Sequence, residues 1–216
     1  MQSHFNADKM FTFLRGFANG RGMPETIKAL NYAKKLHSGQ FRDNGEPYII
    51  HPLIMAFQAI SVGLTSDDLI ASLLLHDVCE DCGIELESLP FNDRVKRIVG
   101  LLTYIKPPEG ESVEARKIHK EQYYTEISED AEASLGKIID RCNNLSSMSG
   151  VFSEERMIKY IEETKEFILP LIVKTKEQFP EYQNSIFILK YHIYSVLEAI
   201  CCTYNSLSKD KKVSID

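Results

Sequence analysis

The stretch Leu73-Leu74-Leu75-His76-Asp77-Val78-Cys79-Glu80-Asp81 places ionisable side chains directly behind an apolar run, and its reading decides the fold. Leu69, Ile70, Leu73, Leu74 and Val78 recur at helical spacing, with no Gly or Pro between Asp67 and Val78, which predicts a buried helix over that range. Ser66 is the N-cap this pattern asks for, and Asp67 and Asp68 suit a first helical turn. An apolar helix that ends in acids and an imidazole is costly to build, because buried charges must be paired or bound to a metal. On a continuous helix His76 stacks over Glu80 and Asp77 over Asp81, while His76 and Asp77 both reach one ion just off the helix end. The plainer reading is a last helical turn with solvated acids, so the rest of the chain has to decide.

The chain has 216 residues, enough for one domain with a full core. Apolar content of 44% and charged content of 26% fit a globular protein rather than a disordered one. A net charge of −6 excludes a global attraction to nucleic acid but leaves room for a local basic pocket that takes a small anion. No apolar stretch reaches the roughly 18 residues of a bilayer span, so no membrane partner is expected. The N-terminus lacks the basic and apolar regions of a signal peptide, and the expected compartment is the cytoplasm. Five cysteines without an export signal argue against a disulfide framework. Cys79-x-x-Cys82 matches half of a zinc or redox motif, but no second pair follows; Cys201 and Cys202 are expected as buried thiols.

Working outward, Phe5 to Phe17 predicts a short helix broken at Gly20-Arg21-Gly22, and Pro24 opens a second from Glu25 to His37. Ser38 to Pro52 is a loop with its own apolar anchors, Phe41, Tyr48, Ile49 and Ile50, and loops held in place are where ligand-binding residues tend to sit. Pro52 starts a helix to about Val62. Further helices are predicted over 91–104, 112–127 and 130–142, with a break at Ser146 to Gly150. Glu154 to about Glu177 follows, kinked or split by Pro170. A last helix runs from Ser185 to Leu207 before a polar tail, Ser208 to Asp216, expected to fray. No stretch alternates with period two for long, no repeat is present, and no linker splits the chain. The prediction is a single all-α domain, with the motifs concentrated in about 25–150 and C-terminal helices over about 153–207.

His51 opens one helix, His76-Asp77 ends another, and Asp140 sits in an apolar third after Gly136-Lys-Ile-Ile. Two imidazoles and two carboxylates suit a borderline divalent ion such as Mn²⁺, Fe²⁺, Co²⁺, Ni²⁺ or Zn²⁺, whereas a Mg²⁺ site is usually all oxygen. Such an ion makes water a nucleophile near neutral pH. Glu80 and Asp81, one turn beyond, are placed to orient that water and to carry protons. Taken alone, Asp140 is equally a partner for Arg141 or Lys137, and His51 a helix-cap histidine.

Gln40-Phe-Arg-Asp-Asn-Gly-Glu-Pro-Tyr-Ile-Ile-His-Pro, then His76-Asp-Val-Cys-Glu-Asp, then Asp140-Arg-Cys-Asn-Asn resembles, in order and spacing, the hydrolase domain of the RelA/SpoT enzymes, a branch of the HD phosphohydrolases. With no room for their synthetase domain, the chain looks like the stand-alone small alarmone hydrolases. The resemblance implies an HD-type helical bundle and Mn²⁺ held by His51, His76, Asp77 and Asp140. It implies water activation by Glu80 and Asp81, and the Arg42 guanidinium stacked on a purine base. Asn144 would hold the ribose or the 3′-phosphate region, and Ser147 would supply the hydroxyl of the usual Thr. The implied reaction is removal of the 3′-pyrophosphate from guanosine tetra- or pentaphosphate. The usual His and Arg of the last motif are Asn143 and Ser146 here, which bears on the substrate more than on the chemistry.

The phosphates of such a nucleotide need cations. Candidates are Lys106, best placed by the resemblance, and Arg116, Lys117 and Lys120 on the polar helix, which read equally as a solvated face. His119 is expected at the surface, His37 and His192 have no motif context, and Tyr123, Tyr124, Tyr191 and Tyr194 are expected in packing. Three functions compete. The first is a metal-dependent (p)ppGpp pyrophosphohydrolase. The second is an HD phosphohydrolase acting on another phosphorylated nucleotide, such as an adenine alarmone, NADPH or a nucleoside phosphate. The third is a nucleotide-binding module without turnover, which the intact acids after His76 argue against.

Overall fold

The computed structural model describes residues 5–148 and 151–207, and the tail from Ser208 lies outside them, as do Ser149 and Gly150 of the expected break. Among the described residues there is no strand, and the predicted all-α class is what forms; one isolated bridge joins Phe41 to Pro47. The chain divides into two compact units, residues 1–137 and 138–216.

The first unit is built from α1 (Ala7–Arg21), α2 (Pro24–Leu36), α3 (Ile50–Ser61), α4 (Asp67–Leu75), α5 (Val78–Cys82), α6 (Asp93–Leu102), α7 (Val113–Ser128) and the start of α8 (Ala131–Met148). Helix α4 is central: it packs against α2, α3 and α6, and every residue from Leu69 to Leu75 is buried. That burial follows from an apolar stripe so wide that no face is left for solvent. Asp67 ties the starts of α2 and α4 together. Its carboxylate accepts the Thr26 N–H at 2.7 Å and the Glu25 N–H at 3.1 Å, groups that the first turn of α2 cannot satisfy itself. Both helices therefore begin at one end of the unit and deliver His37 and His76 to the other. Gly136 is there for packing, since a Cβ would meet Leu102 at 3.2 Å and Leu73 at 3.3 Å.

Two boundaries differ from the sequence reading in ways that matter. Helix α4 stops at Leu75 rather than Val78: Asp77, at φ −101° and ψ −1°, caps a separate short helix α5, which ends at Gly83 with φ 63°. His76 and Asp77 thus sit in a turn rather than on a continuous helix, although the Asp81 N–H still reaches the Asp77 carbonyl at 2.8 Å. Helix α3 begins at Ile50, before Pro52, so His51 lies inside its first turn.

The second unit holds the rest of α8, α9 (Glu154–Glu163), α10 (Leu169–Gln178) and α11 (Gln183–Leu207). Helix α8 runs through Ser146 to Met148, the first three residues of the expected break. The segment is split, one of the two expected outcomes, and Pro170 stands in the first turn of α10. A π-helical turn, Thr164–Ile168, joins α9 to α10 and accommodates the residue that lacks an N–H. Buried Arg141 anchors α8 there, with Nη2 at 2.5 Å from Glu163, Nη1 donating to Thr164 at 3.2 Å, and the guanidinium over the Tyr160 ring. The segment Pro180–Tyr204 is, by length and composition, apolar enough to cross a bilayer, which corrects the sequence expectation. Scattered polar residues such as Lys190 and His192 had masked it, and its Ile186, Leu189, Ile193, Leu197 and Cys201 are buried in the unit. Two further expectations fail at the surface: Tyr191 is 69% exposed, and Cys202 is exposed rather than buried. All five cysteines are free.

Asp130 joins α6 to α8. It accepts the N–H groups of Glu132 and Ala133, both at 3.1 Å, and takes the Arg94 guanidinium as a two-pronged partner. Burial pushes its carboxyl up, but Arg94, the Ala133 N–H and Arg97 outweigh that and hold it below the ordinary carboxylate value. Its contribution is therefore fully present above the unfolded range near about pH 4 and lost as pH falls through the lower folded value. Asp130→Asn is expected to cost about 2 kcal/mol near neutral pH. Urea unfolding at neutral and acid pH checks this, with wild type losing more stability between the two than the variant.

Candidate metal centre

The site forms where α2 and α4 end and α3 begins. His51, in the first turn of α3, is 2% exposed; His76, in the turn after α4, is 4% exposed, and Asp77 beside it is half-buried. The Nδ1 of His76 lies 2.9 Å from the Leu73 carbonyl, which can only accept, so Nδ1 carries the proton and Nε2 faces the other way. That Nε2 is 3.2 Å from His51 Nε2 and 2.7 Å from Asp77 Oδ2, and the third side, His51 to Asp77, measures 3.8 Å. The donor atoms of all three residues lie within 4.8 Å of one another.

This donor set fits a divalent ion. Neighbouring ligands about 2.1 Å from one ion stand about 3 Å apart, the spacing seen here. Nitrogen and oxygen atoms converging in a buried corner repel unless positive charge sits among them, and one ion satisfies three at once. The C-terminal end of α4 adds its own negative dipole end, which favours a cation.

Beyond the ligands, the Glu80 carboxylate is held by the Tyr104 backbone N–H at 2.7 Å. Glu80 is exposed as a residue, yet neighbouring atoms crowd its carboxyl. Burial raises its pKa, the Asp77 and Asp81 charges raise it further, and the Tyr104 N–H and Lys137 pull against them. A carboxyl with increased proton affinity beside a metal pocket is suited to taking a proton from water. Asp81 is exposed on α5. The Tyr48 hydroxyl donates to Asp77 Oδ2, and its pKa lies far above the ordinary phenol value because burial and the Asp77 and Asp81 carboxylates disfavour the phenolate.

The loop before α3 is held in place, as expected, though not by Phe41, which is 65% exposed. A small ladder fixes it instead: Arg42 N–H to the Glu46 carbonyl at 2.9 Å, Tyr48 N–H to the Gln40 carbonyl at 2.9 Å, and a turn at Gly45 with φ 80°. Arg42 is half-buried there. Lys106 lies exposed between α6 and α7, with Arg116 and Lys117 also exposed and Lys120 half-buried. His119 is not a surface residue: it is half-buried with its ring edge-on to Tyr104, and its Nδ1 is buried without a hydrogen-bond partner.

The structure thus brings His51, His76 and Asp77 together in the first unit. Asp140 belongs to the second, where it is 8% exposed and accepts from Asn144 Nδ2 at 2.6 Å. Ser147 Oγ donates to the Asn144 carbonyl at 3.2 Å, and Ser146 Oγ pairs with His192 Nε2 at 2.8 Å. The sequence reading missed three groups. The Tyr104 amide leaves no side-chain signature. Tyr48 read as an apolar anchor, although a phenol three residues before the candidate ligand His51 was a usable signal. His37 is buried with its ring stacked on Tyr48.

Comparison with known proteins agrees with this geometry. The HD domain family matches residues 29–171. A guanosine-3′,5′-bis(diphosphate) 3′-pyrophosphohydrolase of Aquifex aeolicus is 36% identical over 149 residues, covering 68% of this chain and 21% of that protein. A GTP pyrophosphokinase of Brucella ovis is 34% identical over 151 residues, covering 67% of this chain and 19% of that protein. The chain thus spans about a fifth of the length of these curated relatives. A solved structure, described as a metazoan ortholog of SpoT that hydrolyzes ppGpp and plays a role in starvation responses, superposes with a TM-score of 0.62 at 18% identity, covering 81% of this chain and 94% of that one. At that identity it speaks for the fold alone. With more than half of its length matched by the family, and with the His and Asp of adjacent positions 76 and 77 turned toward His51 in an arrangement that could hold a metal ion, the chain belongs to the HD domain family.

Proposed function

We propose that the protein is a Mn²⁺-dependent hydrolase that removes the 3′-pyrophosphate from guanosine tetra- or pentaphosphate, leaving GDP or GTP and pyrophosphate. The observation that carries this reading is the convergence of His51, His76 and Asp77 beside Glu80, in a chain whose relatives include named (p)ppGpp 3′-pyrophosphohydrolases. When bound, the divalent ion supplies a Lewis acid that lets water attack near neutral pH. His51, His76 and Asp77 hold it, and Asp140 completes the set by sequence resemblance. Glu80 takes the proton of the attacking water, its carboxylate aimed by the Tyr104 N–H, and Asp81 passes protons to solvent from the exposed face of α5. Arg42 stacks on the base, Lys106 neutralises phosphate, and Asn144 and Ser147 hold the ribose side. One HD-type domain over the whole chain, a cytoplasmic location and a small-molecule partner complete the proposal; one stripe of α11 packs within the second unit, while Phe187, Ile188 and Tyr191 on it are exposed.

Ser146 favours a second reading, another phosphorylated nucleotide. It stands where the resemblance leads one to look for Arg, and its hydroxyl is engaged by His192. Removing the arginine fork changes which phosphates are recognised, not how water is activated.

Two outcomes are expected. Wild-type protein incubated with Mn²⁺ and ppGpp should yield GDP and pyrophosphate by anion-exchange chromatography, and Asp77→Ala should yield neither. Intact ppGpp with wild-type protein that holds metal, alongside turnover of another nucleotide, would transfer the assignment to the second reading. Titration with Mn²⁺, following the paramagnetic signal of the free ion, should show His76→Ala weakened by at least about 100-fold. In the same titration Glu80→Gln should bind like wild type, while its kcat falls by about 100-fold or more.

A further inference from the structure

We infer that Tyr48 is a positioning residue of the metal pocket, whose hydroxyl fixes the Asp77 carboxylate in the orientation that binds the ion. The inference rests on the metal-site reading above and goes beyond it, since Tyr48 is not itself a ligand there.

The geometry is specific. Asp77 Oδ2 accepts the Tyr48 hydroxyl on one side and lies 2.7 Å from His76 Nε2 on the other. A carboxylate turns through a broad torsional well when nothing holds it. Bracketed between a phenol and an imidazole, Oδ2 stays facing the two histidines before any ion arrives. The ordering cost of binding is then already met by folding.

Tyr48 is itself held firmly, by residues that have no other evident task. Its ring stacks on His37, with centroids 4.6 Å apart and planes 23° from parallel, and it meets the His51 ring edge-on at 6.1 Å. Its N–H donates to the Gln40 carbonyl at 2.9 Å. The Gln40 side chain in turn bonds His37 Nδ1 at 2.7 Å and donates to Cys82 Sγ at 3.6 Å. His37, Gln40 and Cys82 therefore form a backing that ties the end of α2 and α5 to the phenol. This gives a physical role to His37 and Cys82, which stand outside the ligand set.

Tyr48→Phe keeps the ring, the stacking and the backbone bond and deletes only the hydroxyl. Titration of the purified protein with Mn²⁺, reading the signal of the free ion, is expected to give a dissociation constant about tenfold weaker than wild type. Tm measured without metal should change little. A merely structural Tyr48 would lower Tm without moving the affinity of the folded protein. An unchanged dissociation constant overturns the inference. If wild type itself takes up no Mn²⁺, Co²⁺ or Zn²⁺, the metal reading has failed, and this inference fails with it. Should Tyr48→Phe not fold, His37→Leu serves in its place. It frees the Tyr48 ring while leaving the hydroxyl, and a severalfold weaker constant supports the inference whereas an unchanged one overturns it.

Discussion

Two imidazole nitrogens and a carboxylate oxygen that face one another in a buried corner need positive charge among them, and the first unit is arranged around that need. The Leu73 carbonyl holds the proton of His76 on its far nitrogen, so the near nitrogen must find a partner. His51 arrives from the first turn of α3 at 3.2 Å, a distance at which two lone pairs repel unless something lies between them. The apolar packing of α4 against α2, α3 and α6 is what makes the corner dry and its geometry rigid.

The same packing separates roles by distance from solvent. His51 and His76 are buried and Asp77 is half-buried, and Glu80 and Asp81 lie one turn further out on α5, where water can reach them. Glu80 combines a fixed direction, from the Tyr104 N–H, with a raised proton affinity, from crowding and from two neighbouring acids. The exposed cations Lys106, Arg116 and Lys117 lie beyond, on the loop after α6 and on α7.

Much of this was legible in the sequence. The all-α class followed from helical spacing with no period-two alternation, and His51, His76 and Asp77 stood out because ionisable groups beside buried leucines demand an explanation. What stayed hidden has physical causes. The stop of α4 at Leu75 needs only a modest backbone change at Asp77, with no Gly or Pro to announce it. The Tyr104 amide is a donor that every residue carries. Tyr48 is both apolar and a donor, and composition alone shows the first property only. The π-helical turn before Pro170 is one of several ways to absorb a missing N–H, and sequence does not choose among them. The span of α11 was legible, read as 185–207 and formed over Gln183–Leu207, but its overall apolarity was obscured because polar residues interrupt the apolar run without interrupting the helix.

The central claim is that His51, His76 and Asp77 hold one divalent ion. Crystals grown with Mn²⁺ and measured on both sides of the manganese absorption edge test it most directly. The account predicts a single strong anomalous peak about 2.0–2.3 Å from His51 Nε2, His76 Nε2 and an Asp77 oxygen. A fully loaded crystal with no peak there, or with its peak on other residues, would contradict it.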